Sequence, residues 1–424
     1  MDDLPWSAFS QPSKKKFYYD LVTTLDPDLL EAMQPHISNV SPKAPENVRK
    51  IHQASATAFL YLFLSLGSQK SPPCVYTLRS TIPIGAGLGS SASICVCLSC
   101  ALLLQIRALS GPHPDQPAQE SELQIERINR WAFVGELCIH GNPSGVDNTV
   151  AAGGKAVLFK RTDYAKPPLV RRLAGFPELP LLLVNTRQPR STAAEVAKVG
   201  ALRKAHPAVA ERVLDAIDKV TEEAHELIRA EGFDGGDAMA LRRLGELASI
   251  NHGLLVSLGV SHPRLERVRE LVDHAGIGYT KLTGAGGGGC AISILKPSPS
   301  PSSAAARDVS SSSNSNGDND DGAPAGGRAA ALRDLEARLE VEGFEKFETT
   351  LAGDGVGVLW PAVLQNGSGE AGGEEIDQEK FLRAQGNKGI EALVGVGAGL
   401  GGARRGMVAD GDVDVREGWR FWRV

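Results

Sequence analysis

The chain has 424 residues, 42% of them hydrophobic, and a net charge of −5. That length suits two domains with real cores. The acidic balance argues against a nucleic-acid binder whose affinity rests on a basic face. Six cysteines (Cys74, Cys95, Cys97, Cys100, Cys138 and Cys290) do not make a disulfide framework for so long a chain. The spacing of Cys95, Cys97 and Cys100 is not a zinc pattern, and the three read as small buried hydrophobes in a reducing compartment. The opening stretch, MDDLPWSAFSQPSKKK, lacks the apolar region of a signal peptide. The longest apolar run, Ala92–Leu104, is too short for a bilayer. A soluble, cytoplasmic protein with no membrane or nucleic-acid partner is expected.

Residues 1–45 are mixed and rich in proline. Glu46–Leu66 has helical periodicity, with Val48, Ile51, Ala54, Ala58, Leu62 and Leu66 near one face. Val75–Ile82 alternates like a strand, and a glycine-rich loop then leads into a helix over Ser91–Leu109. GPHPDQP breaks that helix. Glu120–Ile139 reads as another helix, and HGNPSGVDN as turn chemistry throughout. Ala156–Lys160 and Leu179–Asn185 read as strands. Helical patterns follow at about 191–205, 208–231, 237–258 and 262–275. Tyr279–Thr283 is a short strand running into GAGGGG, and Cys290–Leu295 is a second. Residues 297–329 are too poor in apolar surface to order and read as an inserted linker. A helix (Ala330–Val341) and two strands (Phe344–Leu351, Gly355–Trp360) come next. The tail from Pro361 is Gly-rich, and disorder or poor packing is expected there.

Forty-seven glycines exceed average usage, which is roughly 7%. Those in the linker and tail mean flexibility. Two compact loops, Gly85–Gly89 and Gly284–Gly289, need another reason. In the first, TIPIGAGLGSSAS, bare backbone precedes a helix. N–H groups at a helix start are unpaired and sit at the positive end of the dipole. Without Cβ atoms the chain can curl round an anion, and Ser90 and Ser91 add hydroxyls. A plain strand-to-helix turn is the bland alternative. The loop is not a Walker A motif, and its near-match to G-x-G-x-x-G lacks the acidic residue expected about twenty positions on. The second loop, KLTGAGGGGCAISIL, holds more glycine than a hairpin needs. Close approach of its backbone to a ligand or another loop is the better explanation.

Between them lies GELCIHGNPSGVDN. Glu136 ends a helical pattern, and Asp147 follows in a loop. Each alone reads as a solvated carboxylate. Beside an anion cradle the pair fits phosphoryl transfer. One carboxylate with a serine hydroxyl can hold Mg²⁺, and the other can take a proton from the attacking hydroxyl. His140 is the other candidate base, although its place in IHGN favours a structural role.

PIGAGLGSSAS, GELCIHGNPSGVDN and KLTGAGGGGCAISIL resemble the GHMP small-molecule kinases, and within them the mevalonate kinases. NTRQPRSTAAEV and NHGLLVSLGVSH also look like that family, and LPWSAFSQP is similar to its fungal members. The resemblance covers about Trp6 to Trp360. It implies an α+β GHMP kinase fold: an incomplete ribosomal-S5-like N-terminal domain (1–180) and a ferredoxin-like C-terminal domain (181–360). It implies ATP and Mg²⁺ as cofactors and mevalonate as substrate, in isoprenoid and sterol synthesis. Ser91 and Glu136 would hold the metal, and Asp147 would be the base. Gly85, Gly87, Leu88, Gly89, Ser90 and Ser91 would wrap the ATP phosphates. Arg190 and Thr192 would lie on the substrate side, with Gly284, Gly286 and Gly287 in a supporting loop. The family is often dimeric, which implies a homodimer.

The family's first strand, with its Pro-Gly-Lys-Val segment, and its Gly-Glu-His-Ala-Val loop have no counterpart here. The chain starting at Met1 is therefore expected to lack the first strands and a lysine near the transferred phosphate, and to show little kinase activity. The alternatives are another GHMP kinase acting on a different small alcohol, a non-catalytic nucleotide-binding remnant, and, on the weak glycine match alone, a dinucleotide-dependent oxidoreductase.

Overall fold

Asp26 begins the first described helix, α1 (Pro27–Ser38), by accepting hydrogen bonds from the amides of Asp28 (3.0 Å) and Leu29 (3.4 Å). Pro27 suits the first helical position because that amide would go unpaired anyway. The computed structural model describes residues 24–83, 86–161, 168–173, 175–230, 232–296, 325–360, 363–364, 374–394 and 419–422. Gly85 lies outside them, as do the expected linker up to residue 324 and much of the expected tail.

The first core is built from α1, α2 (Glu46–Leu66), α3 (Ser90–Gln105), α4 (Ala118–His140) and α5 (Val146–Gly153). Helix α3 is apolar all round, as a helix enclosed by others must be. It packs against α2, α4 and α5, burying Cys95, Val96, Leu102 and Leu103. Each leucine so buried contributes about 1.5–3 kcal/mol of hydrophobic stabilisation. The helix ends at Gln105, short of the expected Leu109, because Arg107 turns left-handed (φ +59°). In α2, Ala58, Leu62 and Leu66 are buried as expected, but Ile51 is exposed. Cys95 and Cys100 are buried, whereas Cys97 is exposed, contrary to expectation; all six cysteines are free.

Val75–Ile82 is not a strand. Its alternation does not survive in burial: Tyr76 packs on Phe59 and Phe63 (ring centroids 5.3 and 5.9 Å), while Val75 and Leu78 are both exposed. Its partner is a helix end rather than a ladder. The Arg79 guanidinium donates to the carbonyls of Phe381 (3.3 Å), Leu382 (3.1 Å) and Ala384 (2.7 Å).

A hairpin, β1 (Ala156–Lys160) with β2 (Leu169–Leu173), leads to β3 (Leu179–Asn185). Then come α6 (Thr192–Ala205), α7 (Pro207–Arg229), α8 (Ala238–Ser257) and α9 (Pro263–Ala275). The strands β4 (Gly278–Leu282) and β5 (Cys290–Leu295) follow, then α10 (Ala325–Val341) and β6 (Glu345–Leu351). Helix α10 starts inside the segment expected to be linker. The four strands form one antiparallel sheet in the order β4-β5-β3-β6. Helical connections between β3 and β4 and between β5 and β6, with that order, give the ferredoxin-like topology expected. Strand alternation loads both faces. Ile292 and Ile294 turn to α7 and α8, and Ala291 and Leu295 to α9 and α10.

The remaining strands are β7 (Gly357–Leu359), β8 (Val363–Leu364), β9 (Glu374–Glu375) and β10 (Trp419–Phe421), with α11 (Gln378–Arg383) and α12 (Gly386–Val394) between β9 and β10. Where the tail is described, the expectation of disorder or poor packing is overturned. Strand β10 pairs antiparallel with β7. Trp422 is 4% exposed in the α1–α5 core, and its indole N–H donates to Gln124 Oε1 at 3.1 Å. No single stretch of local sequence signals that contact. Among the described residues no helix is long and apolar enough to cross a membrane.

Candidate active site

Gly89 caps α3 at φ +69°, and no side chain hydrogen-bonds to the cap. Ser90 and Ser91 open the helix, so the first-turn amides there have no side-chain acceptor. Glu136 sits in the last turn of α4 and is buried, 4% exposed. It reaches the start of α3 because the helices come close at Gly135, where a Cβ would lie 2.7 Å from Cys95 Sγ. One turn on, His140 Nε2 lies 3.1 Å from Ser91 Oγ and 4.0 Å from Glu136 Oε2.

Asp147 was expected on a loop, but it stands in the first turn of α5. Gly145 caps that helix at φ +80°, and Thr149 Oγ1 closes the turn on the Gly145 carbonyl at 2.6 Å. Gly89 lets Asp147 approach: a Cβ there would lie 3.3 Å from Asp147 Cβ. Two uncapped helix starts, α3 and α5, thus meet at one place, with Ser91, Glu136, His140 and Asp147 around it.

Burial raises the Glu136 pKa above the ordinary carboxylate value; Ser91 and His140 oppose the rise and the Asp147 charge adds to it. Asp147 opens to solvent on one side. Its surroundings still strip enough water to raise its pKa, while His140 and Arg190 hold the rise back. Among the described residues no lysine pairs with either carboxylate, and the contact of Glu136 is to His140 at 4.0 Å. Two carboxylates near one another with pKa values raised by burial mark the place as a candidate functional site.

Arg190 links the two glycine loops. Its Nη1 donates to the Thr283 carbonyl at 3.0 Å. A Cβ at Gly87 would fall 1.7 Å from its Nη2, and one at Gly284 would fall 3.0 Å from its Nη1. Leu88 is half-buried between Gly87 and Gly89. Thr192 opens α6 and is exposed, two residues past Arg190.

The second loop is a brace. A Cβ at Gly286 would lie 1.9 Å from the Val260 carbonyl oxygen, and one at Gly288 would lie 2.6 Å from that of Gln188. At Gly287 it would meet Glu195 Oε1 at 2.5 Å, and at Gly289 the Ala86 carbonyl oxygen at 2.8 Å. The Gly287 amide donates to Val260 O at 2.7 Å, and the Gly289 amide to Gln188 O at 2.9 Å. Close approach of backbone to neighbouring loops explains these glycines, Ala86 belonging to the first loop itself.

Residues 54–154 match the pattern of the GHMP kinases N terminal domain, and residues 237–312 that of the GHMP kinases C terminal. A mevalonate kinase of Gibberella zeae is 63% identical over 426 residues, covering 100% of this chain and 76% of that one. The chain belongs to the mevalonate kinases of the GHMP kinase superfamily. A mevalonate kinase of Aspergillus fumigatus is 62% identical over 423 residues, covering 100% of this chain and 71% of that one. The crystal structure of the L. major mevalonate kinase with R-mevalonate superposes with a TM-score of 0.51 at 24% identity, over 74% of this chain and 81% of that one, and shows the shared fold.

The sequence offers His140 as an alternative base and favours a structural role, and the structure places it beside Ser91 and Glu136. The signal was there: one helical turn separates it from Glu136. The place of Arg190 between the loops had no signal in spacing, since three separate segments meet on it.

Proposed function

We propose that this mevalonate kinase transfers the γ-phosphoryl group of ATP to the primary hydroxyl of mevalonate, giving 5-phosphomevalonate. The observation that supports this most is the meeting of Ser91, Glu136 and Asp147 at the uncapped start of α3. The bare amides of Gly87, Leu88, Gly89, Ser90 and Ser91 receive the phosphates, with Gly85 at the head of the same loop. Arg190 adds positive charge between the loops, on the side where Thr192 opens α6. Gly284, Gly286 and Gly287 brace the cradle from behind.

The residues present fit Mg²⁺. Ser91 offers a hydroxyl and Glu136 a buried carboxylate whose pKa burial raises despite the nearby His140. These are hard oxygen donors, and Mg²⁺ takes few of them from protein because it keeps waters and phosphate oxygens. When bound, the metal supplies charge neutralisation on the phosphates. Asp147 accepts the proton of the attacking hydroxyl at its carboxylate, and the raised pKa brings it nearer to that task. His140 orients the Ser91 hydroxyl and moderates the charge on both carboxylates. The division near residue 180, a cytoplasmic location and a homodimer complete the reading.

A coupled assay with mevalonate and ATP tests it. Asp147→Asn lowers kcat by about 10²–10⁴-fold, the range for loss of a general base, with ATP affinity nearly unchanged. Turnover that survives the change overturns the assignment of the base. Turnover of the 424-residue chain beside that of a full-length fungal relative decides the expectation of weak activity.

A further inference from the structure

Beside the second glycine loop lies a polar network, anchored on one buried histidine, that the reaction does not use. His252, 3% exposed in α8, accepts the Leu282 amide on Nδ1 at 3.1 Å. That fixes its proton on Nε2, which donates to Glu266 Oε1 at 3.0 Å. Glu266 also accepts the Ser261 hydroxyl and, on Oε2, Arg269 Nε at 3.3 Å. A buried donor or acceptor left without its partner costs about 1–3 kcal/mol, so such a network holds its members in one arrangement.

Both ends of this network touch the brace. Leu282 is the last residue of β4, and the next carbonyl, Thr283 O, holds Arg190 Nη1 at 3.0 Å. Ser261 follows Val260, whose carbonyl takes the Gly287 amide at 2.7 Å. One imidazole–carboxylate pair therefore fixes the entry to the loop and its midpoint together. We propose that His252, with Glu266 and Ser261, is a positioning unit that holds the Gly284–Gly289 loop and, through Thr283, aims Arg190 at the phosphoryl-transfer site. This rests on the proposed role of that loop and of Arg190, and on no role for His252 at the substrate.

The neutral ring is essential to the device. Protonation at low pH puts a hydrogen on Nδ1, against the Leu282 N–H. The charged groups that face the ring are Glu266 and Arg269 of α9 and Lys281 of β4. Burial outweighs the pull of Glu266 and lowers the His252 pKa from its ordinary value, with Arg269 and Lys281 acting the same way. The loop is thus pinned at neutral pH and released in acid.

Two variants test the proposal. His252→Phe keeps a ring but loses both hydrogen bonds. His252→Asn keeps an acceptor near Nδ1 for Leu282 and cannot titrate. For His252→Phe the proposal expects kcat to drop about 10-fold or more with the mevalonate KM little changed, as for a misplaced catalytic group. Hydrogen exchange at Leu282–Gly289 should accelerate by about 10-fold. His252→Asn should restore most of the kcat at neutral pH and remove the acid-induced loss of protection at Leu282–Gly289, while the part of the kcat acid limb set by Asp147 stays. The protection of the same amides in the wild-type protein, corrected for the intrinsic slowing of exchange in acid, should also fall as pH falls, a reading that survives if His252→Phe fails to fold. An acid-induced loss of protection that persists in His252→Asn, or a folded His252→Phe with kcat and exchange within about twofold of wild type, overturns it. The exchange readout needs no turnover, so it separates failure of this unit from failure of the base assignment at Asp147.

Discussion

The two glycine loops use the same residue for opposite ends. At Gly87–Gly89 the place of the missing side chains is taken by side chains of the candidate site: the Arg190 guanidinium at Gly87 and the Asp147 side chain at Gly89. At Gly286–Gly289 the space is already full, mostly with backbone carbonyls of Val260, Gln188 and Ala86. The first loop lies against movable side chains, and the second lies against fixed backbone. Glycine richness alone does not reveal a binding site; what a Cβ would strike does.

Substitutions can break that comparison. The largest effect is expected at Gly286→Ala. Its Cβ would strike the Val260 oxygen at 1.9 Å, and its φ of +76° is strained for alanine. Neither carbonyl nor loop can yield cheaply, so stability should fall by about 3 kcal/mol or more, read by chemical denaturation. Glu136→Gln should leave the fold intact and raise the Mg²⁺ concentration for half-maximal turnover by about 10-fold, as when an anchoring ligand is lost; chelation should abolish turnover in both proteins. Gly87→Ala should cost only about 1–2 kcal/mol for the left-handed backbone, because the atom it meets is the end of a flexible arginine. Its kinetic lesion should exceed its stability lesion, since Arg190 must move. A Gly87→Ala enzyme with normal turnover would sink the distinction between the loops.

The smallest effect is a gain. The fold raises the Asp147 pKa, so the unfolded chain ionises this group more readily than the folded one does. Stability from the group is present at low pH and is lost as pH rises through its folded pKa. Asp147→Asn should therefore raise the Tm of the unliganded protein at pH 7 while removing turnover. A lower Tm would show that the carboxylate is held by favourable contacts instead.

Much of this was legible in the sequence because long periodic segments declare themselves. Glu46–Leu66 is helical over the whole stretch read from its pattern, and Ala156–Lys160, Leu179–Asn185 and Cys290–Leu295 are strands at the bounds expected. Short or non-local features did not. Helix α5 holds only eight residues after a run of turn formers, so Asp147 read as a loop residue. Val75–Ile82 has strand alternation without a neighbouring strand, and alternation cannot supply one. At the site, residue types in order single out Ser91, Glu136 and Asp147, and the structure brings them together. The approach of Arg190 to Gly87, Gly284 and Thr283 depends on three loops coming together, which no local pattern encodes.

Trp422 has a consequence for how the molecule is made. The core that carries Ser91 and Glu136 is translated early, but one of its buried side chains arrives roughly 300 residues after Trp131, tens of seconds later at a ribosomal pace of ~5–20 residues per second. Until then the nascent helices present an unfilled seat for an indole. The emerging chain must keep that seat clear of other apolar segments, so this half of the enzyme is held back from its final packing by the order of synthesis.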